Sequence, residues 1–149
     1  MIIRKSDAFP TDVAGSRPRR EVRLGEMGGL TGLGINIVHL EPGQASSDRH
    51  WHLHSDEFCL VLSGEATLYD DAGSHTLCEG DAACWPAGAE NAHTLVNETS
   101  ETIHVLVAGT NPAVDEVRYP DSEQTLFHGP ETWKLVSDSG KTLREGPLK

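Results

Sequence analysis

The sequence predicts a single all-β domain, and three observations lead to that prediction. Short apolar runs rich in Val, Leu and Ile recur through the middle of the chain. Gly, Pro and Asp separate these runs at intervals typical of an all-β protein. No window shows the period of about 3.6 residues that an amphipathic helix would produce. With 149 residues, the chain is long enough for one domain with its own apolar core.

The first strand that the sequence predicts is a short one at 21–24. The glycine-rich stretch 27–34 is predicted as a turn, because neither a helical pattern nor a Lys-Ser/Thr pair follows it as in a phosphate-binding loop. At 70–73, Asp-Asp-Ala-Gly predicts a hairpin turn between two strands. The remaining predicted strands are 35–40, 50–53, 57–62, 65–69, 74–77, 82–85, 93–96 and 102–108.

The two ends of the chain differ from this middle part. Residues 1–20 mix Pro, Gly, Ser and charged residues without periodicity, so they are predicted to form an extended leader. Residues 21–110 then form the domain. Residues 111–149 are polar and interrupted by prolines, and they are predicted to be a C-terminal arm with one hairpin, which packs on the domain or on a partner protomer.

Charge argues against nucleic acid as a partner, because the net charge is −11. The basic residues are nevertheless concentrated near the N-terminus. They could form a nucleic-acid-binding arm, but a leader that lies against an acidic surface of the protein itself or of a partner subunit is favoured. Half of the 12 basic residues precede residue 24: Arg4, Lys5, Arg17, Arg19, Arg20 and Arg23.

Other sequence features predict where the protein is located and the state of its cysteines. No run of about 18 apolar residues is present, so we expect no membrane-spanning segment. Residues 1–10 lack the apolar stretch of a signal peptide, and a cytoplasmic location is therefore expected. Cys59, Cys78 and Cys84 are odd in number and form no Cys-x-x-Cys pair, so we predict three buried free thiols and no zinc site built from cysteines.

The segment 50–57, His-Trp-His-Leu-His-Ser-Asp-Glu, carries the chemistry. In a strand, alternate side chains share one face, so His50 and His52 can converge on one metal ion. A turn near 55–56 would bring Glu57, at the start of the next strand, back beside them. His93, at the start of a distant strand that faces the same interior, is the candidate for a fourth ligand.

These residues lie within two motifs that resemble those of the cupin family. The first is Gly, a short gap, His-x-His, Glu and Gly, and it matches Gly43, His50, His52, Glu57 and Gly64. The second is Gly, Pro-x-Gly, His and Asn. It matches Gly80, Pro86, Gly88, His93 and Asn97, with the histidine two residues later than usual and Asn91 in its usual place.

The resemblance covers about residues 35–108 and implies a double-stranded β-helix, or jelly-roll barrel. It also implies a single metal ion in the mouth of the barrel and commonly a homodimer. His50, His52, Glu57 and His93 are then the predicted metal ligands. Three histidines and one carboxylate suit divalent iron, manganese, nickel, cobalt or zinc, and they do not choose among them.

Other polar and aromatic residues receive more ordinary roles. His54 shares the parity of His52 but lies at the turn, so a supporting or surface role is favoured. Cys59 shares the parity of Glu57 and could line the same cavity. Tyr69 could act as a general acid only if it faced the cavity. Packing is the favoured role for a further group: His39, Trp51, Trp85 and His104. Asn91 and Asn97 could hold ligands or loops by hydrogen bonds.

Two functions fit this site. The first is a metal-dependent enzyme that acts on a small anionic organic molecule, as an oxygenase, lyase, isomerase or decarboxylase. A metal with one net positive charge and open coordination positions favours such an oxygen-rich anion. The second is a non-catalytic cupin that binds or senses a small molecule, with a metal that is structural or anchors the ligand. It is motivated by the lack of an assignable acid, base or nucleophile beside the metal.

Overall fold

The computed structural model describes residues 1–14 and 16–147, and these are mostly antiparallel strands. One short helix, α1 (Leu24–Met27), and two 3₁₀ turns, Lys5–Asp7 and Pro120–Ser122, complete the secondary structure of this part of the chain. The strands are β1 (Thr11–Val13), β2 (Arg19–Val22), β3 (Leu33–Leu40), β4 (Trp51–His52), β5 (Glu57–Ser63), β6 (Glu65–Asp70), β7 (Gly73–Cys78), β8 (Ala82–Trp85), β9 (Thr94–Val96), β10 (Ile103–Thr110), β11 (Asp115–Tyr119), β12 (Gln124–His128), β13 (Thr132–Ser137) and β14 (Thr142–Pro147).

Two sheets enclose the apolar core, as expected for a jelly-roll barrel. The larger has the strand order β1-β2-β3-β10-β5-β8, and the smaller has the order β7-β6-β9. Alternate residues of these strands point inward, so the core is built from both sheets. The buried cluster consists of Val38, Leu40, Cys59, Val61, Ala66, Leu68, Trp85, Leu95, Ile103 and Val105.

A third sheet, with the order β14-β13-β12-β11-β4, joins the C-terminal strands to the barrel. The connection runs through β4, because Val117 and Arg118 of β11 pair with His52 and Trp51. The first motif therefore lies at the junction between the barrel and the C-terminal sheet. We call the strands β11–β14 together with β4 the C-terminal sheet.

The strand predictions hold best in the middle of the chain. All the strands predicted between 35 and 108 are present, with ends shifted by at most two residues. The prediction at 21–24 was wrong at its C-terminal end, since β2 stops at Val22 and the one-turn helix α1 follows. The strands β11 and β12 were not predicted. In β11 the inward-facing Asp115 hides the alternation of apolar and polar residues that would have indicated a strand.

The basic N-terminal segment pairs with acidic side chains of the same chain. Arg17 contacts Asp48 at 2.8 Å, and Arg19 contacts the buried Glu21 at 2.6 Å. The strands β1 and β2 lie at the edge of the larger barrel sheet. Arg17 and Arg20 therefore contact acidic residues in another part of the same chain, Asp48 and Glu41, in agreement with the favoured interpretation. Arg19 and Arg23 contact Glu21 within the segment itself. The domain boundaries at 20 and 110 remain predictions.

No helix in the described residues has the length and hydropathy needed to cross a membrane.

The last glycine of the first motif is required by packing. Gly64 links β5 to β6 with φ of 82°, in the left-handed region. A Cβ atom at this position would lie 2.6 Å from Ile103 Cγ2, in the middle of the core. Gly80, in the second motif, also has positive φ, 89°, but a Cβ atom there would meet nothing within 4 Å.

We therefore expect Gly64→Ala to lower the free energy of unfolding by about 2–5 kcal/mol, the sum of left-handed backbone strain and core overpacking. The matched control is Gly80→Ala, which carries only the backbone strain of about 1–2 kcal/mol. Urea unfolding followed by circular dichroism measures both. Equal losses for the two variants would contradict the packing role of Gly64.

Candidate metal centre and adjoining cavity

The histidines of the two motifs are neighbours across a backbone bridge. The amide of His50 donates to the carbonyl of His93 at 3.2 Å, and the amide of His93 donates to that of His50 at 2.9 Å. Their imidazole centroids are 5.3 Å apart. This pairing brings two segments 43 residues apart in the sequence to one end of the barrel.

His52 and Glu57 complete the cluster. His52 lies on the same face as His50, with ring centroids 5.0 Å apart. The chain then turns through 53–56, and β5 begins with Glu57, whose carboxylate points back at the imidazoles. The ligand atoms of His50, His52 and Glu57 all lie within 4.8 Å of one another.

All three imidazoles direct Nε2 at the Glu57 carboxylate. The distances are 3.8 Å from His50 Nε2 to Oε2, 3.6 Å from His52 Nε2 to Oε1 and 2.8 Å from His93 Nε2 to Oε2. His93 lies outside the mutual set of three ligand atoms, although it touches Glu57. Its place as the fourth ligand therefore stays a prediction.

The other nitrogen of each ring is held by an oxygen acceptor. His50 Nδ1 donates to the carbonyl of Asp48 at 2.8 Å, and His93 Nδ1 donates to the carbonyl of Asn91 at 3.0 Å. His52 Nδ1 donates to Asp115 Oδ2 at 2.6 Å. Because these oxygens accept hydrogen bonds, each ring carries a proton on Nδ1. The carboxylate of Glu57 also only accepts, so Nε2 of His93 donates to it where no metal is bound. A metal would take the place of the proton on Nε2.

Electrostatics keep Glu57 ionised. Burial opposes the charge of Glu57, but the interactions with His50 and His93 and the charge of His52 outweigh it and hold the pKa of Glu57 far below its usual range. Burial likewise lowers the pKa of His50, yet Glu57 and the Asp48 carbonyl raise it more, and the net shift is upward. The site thus holds a permanent carboxylate among basic imidazoles.

This donor set fits a divalent transition metal. Imidazole nitrogens and a carboxylate oxygen are the ligands that iron, manganese, nickel, cobalt and zinc accept in proteins, and the nitrogens are already aligned. Trp85 fixes the ring of His93 by stacking on it, with centroids 3.7 Å apart and planes 10° apart.

The cluster lies in a cavity of about 420 Å³. One part of its wall is apolar, with Val38, Leu95 and Val107, and Tyr119 and Arg17 form another part. This volume suits a small organic molecule.

Comparison with known proteins agrees with this arrangement. The family model of the cupin domain matches residues 36–109. A sugar phosphate isomerase from a cupin superfamily, from Silicibacter pomeroyi, is 38% identical and has a TM-score of 0.81, over 85% of this chain and 80% of that protein. The chain belongs to the cupin superfamily.

Two other cupin-like structures extend the comparison. A protein from Acidithiobacillus ferrooxidans, to which sugar phosphate isomerase activity is attributed, is 27% identical with a TM-score of 0.87, over 96% of each chain. A predicted oxalate decarboxylase from Thermotoga maritima, 20% identical with a TM-score of 0.63 over 74% of this chain and 98% of that one, shares the fold alone. No curated protein sequence matches the chain.

The other residues for which the sequence suggested a role lie mostly outside the cluster. The side chain of His54 is 49% exposed, outside the cluster. Cys59 lines the cavity, as expected from its parity, and burial raises the pKa of its thiol to about 11. The prediction that all three thiols are buried was wrong for Cys78 and Cys84, which are exposed. Tyr69 lies on the outer surface and donates to Glu98, so it cannot act in the cavity. Asn97 is fully buried and donates to the carbonyls of Leu40 and Glu101, which holds a loop.

His39, His104, Asn91 and Trp85 support the structure around the cluster. His39 and His104 form an edge-to-face pair within the barrel sheet, with centroids 4.5 Å apart. Asn91 accepts from the amide of Asp71 and donates to Asp70, so its side chain holds a loop beside His93. Trp85, for which packing was favoured, packs in the core and also lines the cavity.

Sequence reasoning missed two residues of this cupin site, Asp115 and Tyr119. Both come from β11, in the segment predicted as an arm. Asp115 is buried, and its second oxygen, Oδ1, accepts from the amides of His54 and Glu116 at 2.9 Å. The signal that could have found them is the alternation of Asp115, Val117 and Tyr119, which share one face of a strand.

Elemental analysis of protein purified without chelator tests the ligand set. We expect near-stoichiometric divalent metal in the wild type and its loss in both His52→Ala and His93→Ala, because each removes one donor to the ion. The matched control is His54→Ala, which should retain the metal. Full retention by His93→Ala would show that the fourth ligand is wrong.

A second prediction concerns Asp115→Asn. The amide oxygen of Asn would have to stay with the two backbone amides, so its NH₂ group would face His52 Nδ1. The ring proton would then move to Nε2, the nitrogen that a metal needs. We expect about 10–100-fold weaker Co²⁺ binding by competition titration. Glu116→Gln, a neighbouring carboxylate paired with Arg118, is the control; an equal loss there would contradict the argument.

Proposed function

We propose that the protein is a metal-dependent isomerase that acts on a small phosphorylated sugar. The observation that carries the proposal is the convergence of three Nδ1-protonated imidazoles on Glu57 at the wall of a cavity of about 420 Å³. The 38% identity to a sugar phosphate isomerase over most of both chains supports the choice of reaction among those a cupin metal site could serve.

His50, His52, Glu57 and His93 would hold the ion. Three neutral imidazoles and one carboxylate leave a divalent ion one net positive charge, which favours an anionic ligand with oxygen donors. When bound, the ion supplies Lewis-acid polarisation of a carbonyl or hydroxyl oxygen. That is the chemistry an isomerisation needs, because moving a hydrogen between adjacent carbons requires the neighbouring oxygen to be polarised.

Two side chains of the cavity wall are suited to hold the substrate. Burial raises the pKa of Tyr119, and the charges of Asp48 and Glu57 raise it further, so the phenol stays protonated and can donate to a substrate oxygen. Arg17 uses Nε for Asp48, and its remaining N–H groups can face an anion. The apolar wall of Val38, Leu95 and Val107 limits access of water to the reacting carbons.

The test is proton exchange in D₂O. Metal-loaded protein is incubated with a panel of aldose and ketose phosphates, and NMR follows product formation and deuterium at the carbon next to the carbonyl. We expect turnover that Glu57→Gln abolishes, because a metal ligand is lost. We expect Tyr119→Phe to reduce it about 10-fold, the worth of one hydrogen bond of about 1.4 kcal/mol. His54→Ala is the control with unchanged turnover.

Absence of both turnover and exchange in metal-replete protein would overturn this proposal in favour of a non-catalytic, ligand-binding cupin. One observation favours that second function. Within the described residues, the carboxylates of the cavity wall are already paired: Glu21 with Arg19, Asp48 with Arg17, and Glu57 with the imidazoles. None of these three carboxylates is therefore an unpaired base that could take a proton from a substrate carbon.

A further inference from the structure

The guanidinium of Arg49 joins three loops around the candidate metal centre. Its Nε and Nη2 atoms donate to the two carboxylate oxygens of Asp121, at 3.0 and 2.6 Å, and its Nη1 atom donates to Asp71. Arg49 directly precedes His50, Asp71 lies in the turn between β6 and β7, and Asp121 lies in the 3₁₀ turn after β11. A two-point contact between a guanidinium and a carboxylate is stronger and more directional than a single ion pair. Arg49 can therefore fix the loops that it joins.

The first of these loops orients the ring of His50. The peptide bond between Asp48 and Arg49 contains the carbonyl that accepts from His50 Nδ1 at 2.8 Å. The direction of this carbonyl depends on the position of the Arg49 backbone. Contacts that hold the Arg49 side chain therefore restrain the rotation of the neighbouring imidazole.

The second loop leads to the ring of His93. Asp71, which binds Arg49, accepts through Oδ2 from the amide of Ala92 at 3.4 Å, and its own amide donates to Asn91 Oδ1 at 3.0 Å. The carbonyl of Asn91 in turn accepts from His93 Nδ1 at 3.0 Å. The aspartate that Arg49 binds thus holds the segment whose carbonyl orients His93.

The third loop follows Tyr119, and it separates the contacts of Arg49 from those of His52. Asp121 comes two residues after Tyr119, whose ring lies beside that of His50 with centroids 5.7 Å apart. The contact of Arg49 with Asp121 therefore holds this end of β11 next to His50. His52 is instead oriented by Asp115, at the other end of β11. In the described part of the chain, Arg49 makes no hydrogen bond to either His52 or Asp115.

We propose that Arg49 is a positioning residue for the metal centre, which sets the orientations of His50 and His93, whereas Asp115 sets that of His52. Rings that are already held in one orientation lose less freedom when an ion binds, so their restraint raises metal affinity. The proposal rests on the candidate metal centre. It does not depend on which reaction the centre catalyses.

NMR of the metal-free, full-length protein labelled with ¹⁵N-histidine tests this role. A proton held between Nδ1 and an oxygen is protected from exchange with water, and each signal is assigned by substitution of its histidine. We expect Arg49→Ala to abolish the protected Nδ1–H signals of His50 and His93 and to leave that of His52. Arg49→Lys should restore them only in part, because an ammonium group cannot form the two-point contact. The matched control is Arg20→Ala, which removes an exposed ion pair with Glu41 and should leave all three signals.

Co²⁺ competition titration of the same variants measures the effect on metal binding. We expect about 10-fold weaker binding by Arg49→Ala and unchanged binding by Arg20→Ala. Asp121→Asn, which retains the shape of the side chain, should change the same two NMR signals and weaken Co²⁺ binding less. This variant supplies the test if Arg49→Ala fails to fold.

Three results would overturn the role of Arg49. They are unchanged NMR signals and Co²⁺ affinity in Arg49→Ala, an equal loss of all three signals in both Arg49→Ala and Asp121→Asn, and a wild-type protein that binds no Co²⁺. The second of these would mean a general loss of structure instead of a selective loss of ring orientation. Failure of the isomerase proposal alone would appear as the expected NMR and Co²⁺ results in a protein without turnover.

Discussion

The buried carboxylate of Glu57 is the constraint around which the functional end of the barrel is organised. A carboxylate withdrawn from water is costly unless charges or hydrogen bonds compensate for it. Here three Nε2 atoms, from two separate segments of the chain, lie within 3.8 Å of its oxygens. The same interactions that keep Glu57 ionised therefore join β5 to the His50–His93 bridge. The arrangement suited to a metal is in place before any ion binds.

The C-terminal sheet is part of this arrangement. It joins the barrel through the pairing of β11 with β4, the strand that contains His52. Asp115 adds a side-chain link, because one of its oxygens holds the ring of His52 and the other holds the backbone at His54. The orientation of His52, a candidate metal ligand from the first motif, thus depends on a strand that begins 63 residues later. Folding of the C-terminal sheet and assembly of the metal centre are coupled for this physical reason.

The local charge of the cavity differs from the charge of the molecule. The chain has a net charge of −11, yet Arg17 lines the cavity that contains the candidate metal ligands. Arg17 is partly neutralised by Asp48, which it contacts at 2.8 Å. Net charge affects non-specific association with other molecules, whereas the positions of individual charges determine which ligand a concave site can bind.

Much of the fold and of the candidate site could be predicted from the sequence, because the information is local. Alternation of apolar and polar residues and the turn residues between them determined the strands from 35 to 108. The spacing of His50, His52 and Glu57 predicted that three candidate ligands lie together, since a strand and a short turn leave few other geometries. The last strands could not be predicted in this way. Buried polar residues such as Asp115 break the apolar alternation, and their partners lie far away in the sequence. Pairing of β11 with β4 and the contact of Asp115 with His52 were decided only by the tertiary structure, because strand pairing depends on interactions between distant segments.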